Sequence, residues 1–378
     1  MAASITNQLT LTAADAARPG TGTSAFAGEK FATALLAWFD THGRKHLPWQ
    51  QQITPYRVWI SEIMLQQTQV ATVIPYYERF MQQFQDVRAL AAAEDDEVLH
   101  LWTGLGYYAR ARNLLKAARL IVSEHGGEFP DNIDAVQELP GIGRSTAGAI
   151  LAISKAQRHP ILDGNVKRVL TRCFGIQGFP GETAIERELW ALADTCTPAQ
   201  RVAHYTQAIM DLGATVCVRS RPLCVVCPMH EHCVARREGM QAVLPTPKPR
   251  KDRPERTAYA AILRRADGAV LLERRPPVGI WGGLWTFPQF DAHDDALAWM
   301  EQHTGEASLT TQPLPPYLHS FTHFDLTLQP ILVHNAHDRS AIADTDRYYW
   351  YDVKQPAKIG LAKPAVDLIR SLADTASD

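Results

Sequence analysis

The sequence has no long apolar run and no marked excess of either charge. It contains no stretch of about 18 apolar residues, so it predicts no transmembrane helix. Lysine and arginine total 38 against 40 aspartate and glutamate residues, a net charge of −2 that does not by itself indicate a polyanionic partner. With 46% hydrophobic and 21% charged residues, a wholly disordered or collagen-like chain is excluded. At roughly 150 residues per domain, the length predicts two or three domains.

The first 27 residues, rich in alanine and threonine, lack the basic start and apolar core of a secretory signal. We expect residues 1–27 to form a mobile tail and the protein to be cytoplasmic.

The apolar spacing changes once along the chain. Residues 28–243 carry helical patterns such as Phe31, Leu35 and Phe39, which predict an all-α region. Residues 244–256 are rich in proline and basic side chains, which predicts an extended linker. Residues 257–374 then alternate with a period of two around an Asp-Gly turn at 267–268, so we predict a small α/β domain that begins with a β-hairpin.

Cysteines are few, but four of the six lie close together. Cys217, Cys224, Cys227 and Cys233 have the spacing C-x6-C-x2-C-x5-C. Clustered cysteines in a chain without an export signal indicate a metal site rather than disulfides. Four thiolates suit either structural zinc or an iron–sulfur cluster, and the residues alone leave both open.

The segment LPGIGRSTAGAI predicts two helices joined by a tight turn. Pro140 ends the first helix, while Gly141 and Gly143 permit a positive φ and a close backbone approach. Ser145 or Thr146 is suited to cap the second helix. The free N–H groups of such a turn form an anion site, which favours binding of a backbone phosphate.

Two carboxylates stand in suggestive surroundings. Glu62 shares a polar helix stripe with glutamines that include Gln66, and Asp163 directly precedes a helix that it is suited to cap. Neither residue alone indicates an enzyme. Together they suit cleavage of a C–N glycosidic bond, which needs one acid to protonate the leaving base and one carboxylate to stabilise a positive sugar.

These motifs, in this order, together with LWTGLGYYARARNL, resemble the helix-hairpin-helix DNA glycosylases of the endonuclease III superfamily and, within them, the adenine DNA glycosylases of the MutY family. The resemblance covers residues 28–375. It implies a 4Fe–4S cluster at the four cysteines. It also implies that Glu62 is the general acid, that Asp163 stabilises the sugar cation, and that Asn165 helps to position the reacting groups.

The same resemblance implies the contacts with DNA. Gln67 and Tyr107 match positions that enter the base stack, with Gln66 beside them, and Gly141 and Gly143 match the phosphate-gripping hairpin. Ser145 and Lys167 are further expected DNA contacts. Bifunctional relatives carry a lysine where this chain has Ser145; because a hydroxyl cannot form an imine, we predict a monofunctional enzyme.

The C-terminal region resembles the Nudix-like domain of the same family. It lacks the glutamate-rich helix that holds magnesium in Nudix hydrolases, so we expect it to bind rather than hydrolyse. The resemblance implies that Phe321, Thr322 and His323 read 8-oxoguanine opposite the target adenine. The family more often has serine at the middle position. We expect the protein to be a monomer. Its expected partner is double-stranded DNA with adenine opposite 8-oxoguanine or guanine.

Three other functions can be set against this one. They are a bifunctional endonuclease III-like enzyme acting on oxidised pyrimidines, a non-catalytic DNA-binding scaffold or redox sensor, and a Nudix nucleotide hydrolase. Ser145 and the additional C-terminal domain count against the first. The paired Glu62 and Asp163 count against the second, and the missing metal-binding glutamates against the third.

Overall fold

The computed structural model describes residues 26–249, 252–306, 308–334, 336 and 346–374. Residues 1–25 of the predicted tail therefore lie outside the described residues. Phe26 is buried and stacks on His232, with 4.0 Å between ring centroids. None of the helices in the described ranges is long and apolar enough to cross a membrane.

The first part of the chain is all-α, as predicted. Within residues 26–249 the structure contains helices and turns but no strand. The helices are α1 Glu29–His42, α2 Pro55–Leu65, α3 Val70–Gln83, α4 Val87–Ala91, α5 Asp95–Trp102, α6 Ala109–Glu124, α7 Ile133–Glu138, α8 Arg144–Lys155, α9 Gly164–Phe174, α10 Thr183–Cys196, α11 Val202–Asp211 and α12 Val234–Arg237. The longer helices share one core, into which they bury residues spaced three or four apart, as α1 does with Phe31, Leu35 and Phe39.

The second part is a mixed α/β domain, also as predicted. Its strands are β1 Glu255–Leu263, β2 Val270–Arg274, β3 Trp285–Thr286, β4 Gln289–Phe290, β5 Thr311–Pro313, β6 Tyr317–Ser320, β7 Asp325–Val333 and β8 Tyr348–Tyr351, and its helices are α13 His293–Thr304 and α14 Lys363–Asp374. The described strands form two sheets. One has the order β4-β1-β7-β5 with β6 also on β7, and the other has the order β3-β2-β8.

The predicted β1–β2 hairpin forms only next to its turn, where Arg264 and Val270 make one isolated antiparallel bridge. The tight turn exists, since the Ala269 N–H donates to Asp267 Oδ1 over 3.0 Å, but beyond it the two strands enter different sheets. β1 instead pairs in parallel with β7 along its whole length, and β2 pairs with β8. Both strands therefore find their main partners far along the chain, and local turn signals carry no information about such partners.

The linker region differs slightly from its predicted limits. Leu244 is buried, and its carbonyl accepts a hydrogen bond from Arg172 Nε over 2.8 Å, so the helical part holds this residue. At the other end, β1 begins at Glu255. Residues 250 and 251 lie outside the described residues.

Candidate active site

The two carboxylates singled out in the sequence come from different helices and interact. Glu62 lies in the last two turns of α2, which begins at Pro55 with Thr54 as its N-cap. Asp163 is the N-cap of α9, where its Oδ1 accepts the Val166 N–H over 2.8 Å. The capping role and a place beside Glu62 are therefore compatible, because a cap uses only part of the acceptor capacity of a carboxylate.

Burial raises the pKa of both acids, but only at Asp163 do neighbouring groups oppose this rise. Burial, followed by the nearby charge of Asp163, raises the pKa of Glu62 to about 8, so this carboxyl is mostly protonated at pH 7. Burial also raises the pKa of Asp163, but hydrogen bonds from the Val166 and Asn165 amides and the charge of Arg168 favour its ionised form. The site thus contains one carboxyl suited to give a proton and one suited to stay negative.

Asp163 is supported by a chain of hydrogen bonds that the sequence did not reveal. Asn165 Nδ2 lies 3.4 Å from Asp163 Oδ2, and Arg168 Nη2 donates to Asn165 Oδ1 over 2.8 Å. Arg168 Nε in turn donates to the Cys217 carbonyl over 2.7 Å. The network joins the carboxylate to the start of the cysteine loop and orients Asn165, the residue that the resemblance assigned to positioning.

The hairpin forms between α7 and α8, with one glycine acting as predicted and the other differently. Gly141 has φ +82°, and a Cβ at this position would lie 2.9 Å from Asn113 Cβ, so the turn requires glycine. Gly143 instead has φ −91° and is itself the N-cap of α8, without a side-chain cap. The predicted capping by Ser145 or Thr146 is therefore wrong, because both residues already lie inside the helix.

Ser145 has a different partner. Its Oγ accepts the Leu162 N–H over 2.9 Å, which ties the hairpin helix to the segment that leads into Asp163. Gln66 Nε2 lies 3.4 Å from Thr146 Oγ1, so the end of α2 also rests on this helix. The hairpin and both carboxylates therefore belong to one structural unit.

Gln67 and Tyr107 lie in two turns with similar geometry. Gln67 has φ +57° and Tyr107 has φ +50°, a strained conformation for residues other than glycine. The Gln67 side chain is exposed, and Tyr107 retains 47% of its surface in contact with solvent. Strain combined with exposure is typical of functional positions, and it separates Tyr107 from its packed neighbour Tyr108.

Arg110 holds both turns in place, a role that the sequence did not assign to it. Its guanidinium is buried, and six oxygen atoms lie within hydrogen-bonding distance of Nη1 or Nη2: the carbonyls of Ile63, Met64, Gln66, Leu105 and Gly106 and Thr68 Oγ1. Carbonyls at the end of α2 lack partners within the helix, and a planar fork with five N–H donors satisfies several of them at once. Of the arginines in this segment, Arg110 faces the interior.

We expect Arg110→Met to destabilise the protein by about 3–5 kcal/mol, since it leaves several buried carbonyls without donors. The measurement is the free energy of unfolding in urea. Arg79, an exposed arginine stacked on Tyr76, supplies the control: Arg79→Met is expected to cost less than about 1 kcal/mol. Equal stabilities of the two variants would contradict the assignment.

Lys167, an expected DNA contact, is already paired in the structure. Its Nζ lies 2.7 Å from Glu186 Oε1, and the Lys167 side chain is 24% exposed. A phosphate at this position competes with that carboxylate, which weakens the interaction expected from an unpaired lysine.

The four clustered cysteines line one recess, together with Arg172 and His230. No three histidine, cysteine, aspartate or glutamate side chains among the described residues are close enough to hold a single metal ion. Four cysteine thiols around one recess are the donor set of either structural zinc or an iron–sulfur cluster.

Arg172 organises the recess, another role that the sequence did not indicate. It is buried and donates to the carbonyls of Val218 and Arg219, while its own carbonyl accepts from Cys233 Sγ over 3.4 Å. The sequence shows a basic residue one helical turn after Arg168, but it does not show which way the side chain of that residue points. The packing of α9 against the loop buries Arg172 and leaves Arg168 half-buried.

The predicted reading loop lies at the tip of the β6–β7 hairpin. Phe321 is half-buried and stacks on Phe324 with 4.6 Å between ring centroids, whereas Thr322 and His323 are exposed. Thr322 Oγ1 lies 3.4 Å from His323 Nδ1. A rigid aromatic base thus presents a hydroxyl and an imidazole to solvent, which is a suitable arrangement for recognising a polar ring edge.

Comparison with known proteins assigns both parts of the chain. Residues 60–194 match the HhH-GPD superfamily of base excision DNA repair proteins, and residues 259–371 match the NUDIX domain. A thermostable thymine-DNA glycosylase of known structure superposes with a TM-score of 0.51 at 27% identity, over 55% of this chain and 95% of that one.

Relatives that extend over both parts are adenine DNA glycosylases. That of Buchnera aphidicola subsp. Acyrthosiphon pisum is 38% identical over 341 residues, which cover 90% of this chain and 97% of the relative. The human enzyme is 36% identical over 360 residues, covering 79% of this chain and 66% of the relative. With its two carboxylates, hairpin and cysteine recess in one helical unit, this chain belongs to the adenine DNA glycosylase family of base excision repair enzymes.

Proposed function

We propose that this protein hydrolyses the N-glycosidic bond of adenine paired with 8-oxoguanine or guanine and leaves an abasic site. The observation that carries the proposal is the pairing of Glu62, with a pKa of about 8, and Asp163, which accepts several hydrogen bonds. Glu62 protonates the departing adenine. Asp163, negatively charged, stabilises the positive sugar until water adds to it, and Asn165 holds Asp163 in place.

The target adenine must first leave the base stack, which costs roughly a few kcal/mol. The exposed side chains of Gln67 and Tyr107 offset this cost by filling the vacated space, and Gln66 lies beside them. Their strained turns are held by Arg110, so little ordering remains to be done on binding. The N–H groups of the hairpin around Gly141 and Gly143 bind a backbone phosphate.

The reaction ends at the abasic site because the site offers Ser145 where an amine is needed for strand cleavage. A hydroxyl forms no imine with the sugar aldehyde. The expected result with borohydride is no covalent adduct between protein and DNA. A strong adduct that depends on a lysine supports the bifunctional alternative instead.

The cysteine recess is proposed to hold a 4Fe–4S cluster through Cys217, Cys224, Cys227 and Cys233. When bound, the cluster supplies a rigid crosslink among loop residues 217–233. That loop is in turn tied to Arg168 and, through it, to the asparagine beside the catalytic carboxylate. Iron and sulfide analysis tests the assignment, and a preparation that contains zinc instead of iron contradicts it.

Recognition of 8-oxoguanine is assigned to Phe321, Thr322 and His323. We expect His323→Ala to reduce the preference for adenine opposite 8-oxoguanine over adenine opposite guanine by about tenfold. Single-turnover rates on the two duplexes measure it. His334→Ala, in the same domain beyond the far end of β7, should leave the preference unchanged. Equal losses on both duplexes exclude a reading role.

One assay tests the proposal as a whole. The protein is incubated with a duplex that carries adenine opposite 8-oxoguanine, and both free adenine and strand breaks are measured. Released adenine, with breaks only after alkali, supports it; no release refutes it. Because the carboxylates, hairpin and reading loop all come from one chain, a monomer is expected to suffice.

A further inference from the structure

The two parts of the chain meet where α5 and the start of α6 pack against the C-terminal domain. Trp285 Nε1 donates to Asp96 Oδ1 over 3.2 Å, and Tyr108 OH donates to the Leu361 carbonyl over 3.3 Å. Leu99 is buried so closely against Gly360 that a Cβ at the glycine would lie 2.5 Å from Leu99 Cβ. The junction is therefore tightly packed, and small changes in it shift one domain relative to the other.

Arg112 links α6 directly to the reading domain. Its Nη1 donates to the Gly282 carbonyl over 2.5 Å, and its side-chain stem runs past Gly283, where a Cβ would lie 3.8 Å from Arg112 Cδ. Burial lowers the pKa of Arg112, but the group remains charged at neutral pH. A charged donor on a partly buried carbonyl makes a stronger bond than a neutral one.

The loop that receives this bond also supports the reading residues. Gly282 follows Trp281, a buried residue with φ +54°, which is strained for a tryptophan. The Trp281 ring packs against Phe321 and His319, with centroid distances of 5.3 and 5.5 Å. Any shift of the Gly282 peptide therefore moves the ring on which Phe321 rests.

At its other end, Arg112 lies in the first turn of α6, directly after the turn that presents Tyr107. The Arg112 N–H donates to the Tyr108 carbonyl over 3.1 Å, and Tyr108 OH accepts the Gly104 N–H over 3.1 Å. One residue thus contacts, through backbone and side chain, both the turn of the intercalating tyrosine and the support of the reading loop.

We propose that Arg112 is a positioning residue that sets the distance between the reading loop and the Tyr107 turn, so that discrimination between 8-oxoguanine and guanine depends on it. The inference rests on the proposed function and adds a specificity-determining residue to it. An 8-oxoguanine engaged by the reading loop then fixes where Tyr107 enters the stack. Without the Arg112 bond, the other junction contacts still join the two domains, but the reading loop is held less firmly relative to the Tyr107 turn.

Arg112→Met tests this, because methionine keeps the unbranched stem and removes every donor. We expect the ratio of single-turnover rates on the two duplexes, 8-oxoguanine to guanine, to fall at least fivefold, while the rate on the guanine duplex changes less than twofold. Amide hydrogen exchange in residues 279–284 and 321–324 should become faster. Arg112→Lys, which keeps one donor, should recover part of the ratio.

Arg119→Met is the matched control. Arg119 lies on the same helix but bonds to Ala93 and Asp95 within the helical part. It should leave both the ratio and the exchange unchanged. The proposal is overturned if Arg112→Met lowers both rates equally, if the ratio falls without faster exchange, or if Arg119→Met has the same effect. If Arg112→Met fails to fold, Arg112→Lys becomes the test. It must then show a lower ratio of the two single-turnover rates and faster exchange than the wild type.

The two proposals fail in distinguishable ways. A wild-type protein that does not prefer the 8-oxoguanine duplex refutes the proposed reading function before any variant is made. The hydrogen-exchange comparison of Arg112→Met with Arg119→Met then still decides whether Arg112 holds the Trp281 loop.

Discussion

Replacing Glu62 by glutamine is expected to reduce the rate of adenine release about 10³-fold while leaving DNA binding intact. General acid catalysis contributes typically 10²–10⁴-fold, and an amide has no proton of suitable acidity to give. The change keeps the shape of the side chain and removes only the ionisable group. Single-turnover kinetics measure the rate, and fluorescence anisotropy with a labelled duplex measures binding. Glu78→Gln, at an exposed position on α3, is the control and should be neutral.

The pH dependence identifies the group. Because burial raises the pKa of Glu62 to about 8, the wild-type rate should fall tenfold per pH unit above about pH 8 as the acid loses its proton. The residual activity of Glu62→Gln should lack this decline. If the variant keeps the same decline, another group is the acid.

Stability offers an independent check. When the pKa of an acid is higher in the folded than in the unfolded state, the protein loses stability as the pH rises from the unfolded-state pKa to the folded-state pKa. For Glu62 this range is about 4.5 to about 8. Glu62→Gln should therefore melt at a higher temperature than the wild type at pH 8 and at a similar temperature near pH 4. The protein thus retains a catalytic carboxyl although this group lowers the stability of the folded state.

The second large effect is expected from Asp163→Asn, which should slow adenine release about 10²–10³-fold. Its effect is electrostatic, because asparagine caps a helix as well as aspartate and can still accept the Val166 N–H. Only the negative charge that stabilises the sugar cation is lost. Unfolding in urea should show a change of no more than about 1 kcal/mol, so that loss of rate and loss of fold are separated.

Two further variants provide the reference for capping. Asp163→Ala removes both charge and cap, and Asn132→Ala removes a comparable cap at the start of α7, where Asn132 Oδ1 accepts the Asp134 N–H. Both should lose about 1 kcal/mol of stability. Only the changes at Asp163 should lose activity. Near-normal rates in Asp163→Asn are incompatible with a role for the charge.

Particular residues show how far sequence reasoning reached. Helical spacing correctly predicted that the first part of the chain is all-α, as the periodic buried face of α1 shows. The Asp-Gly turn at 267–268 was also found, but not the separation of β1 and β2, because pairing partners far along the chain decided it. The predicted N-cap of α8 was wrong, because Gly143 is the N-cap and the helix begins earlier than the hydroxyl residues suggested.

The chemistry of the site divides in the same way. The sequence by itself determined which groups are available: two acids, a glycine hairpin, a serine in place of an amine, four spaced thiols and a Phe-Thr-His loop. Only the tertiary structure decided what those groups can do, because a pKa, a buried arginine's direction and a contact between domains depend on neighbours that are distant in the chain. Burial made Glu62 an acid, and packing turned Arg110, Arg112, Arg168 and Arg172 toward carbonyls that no local pattern identifies.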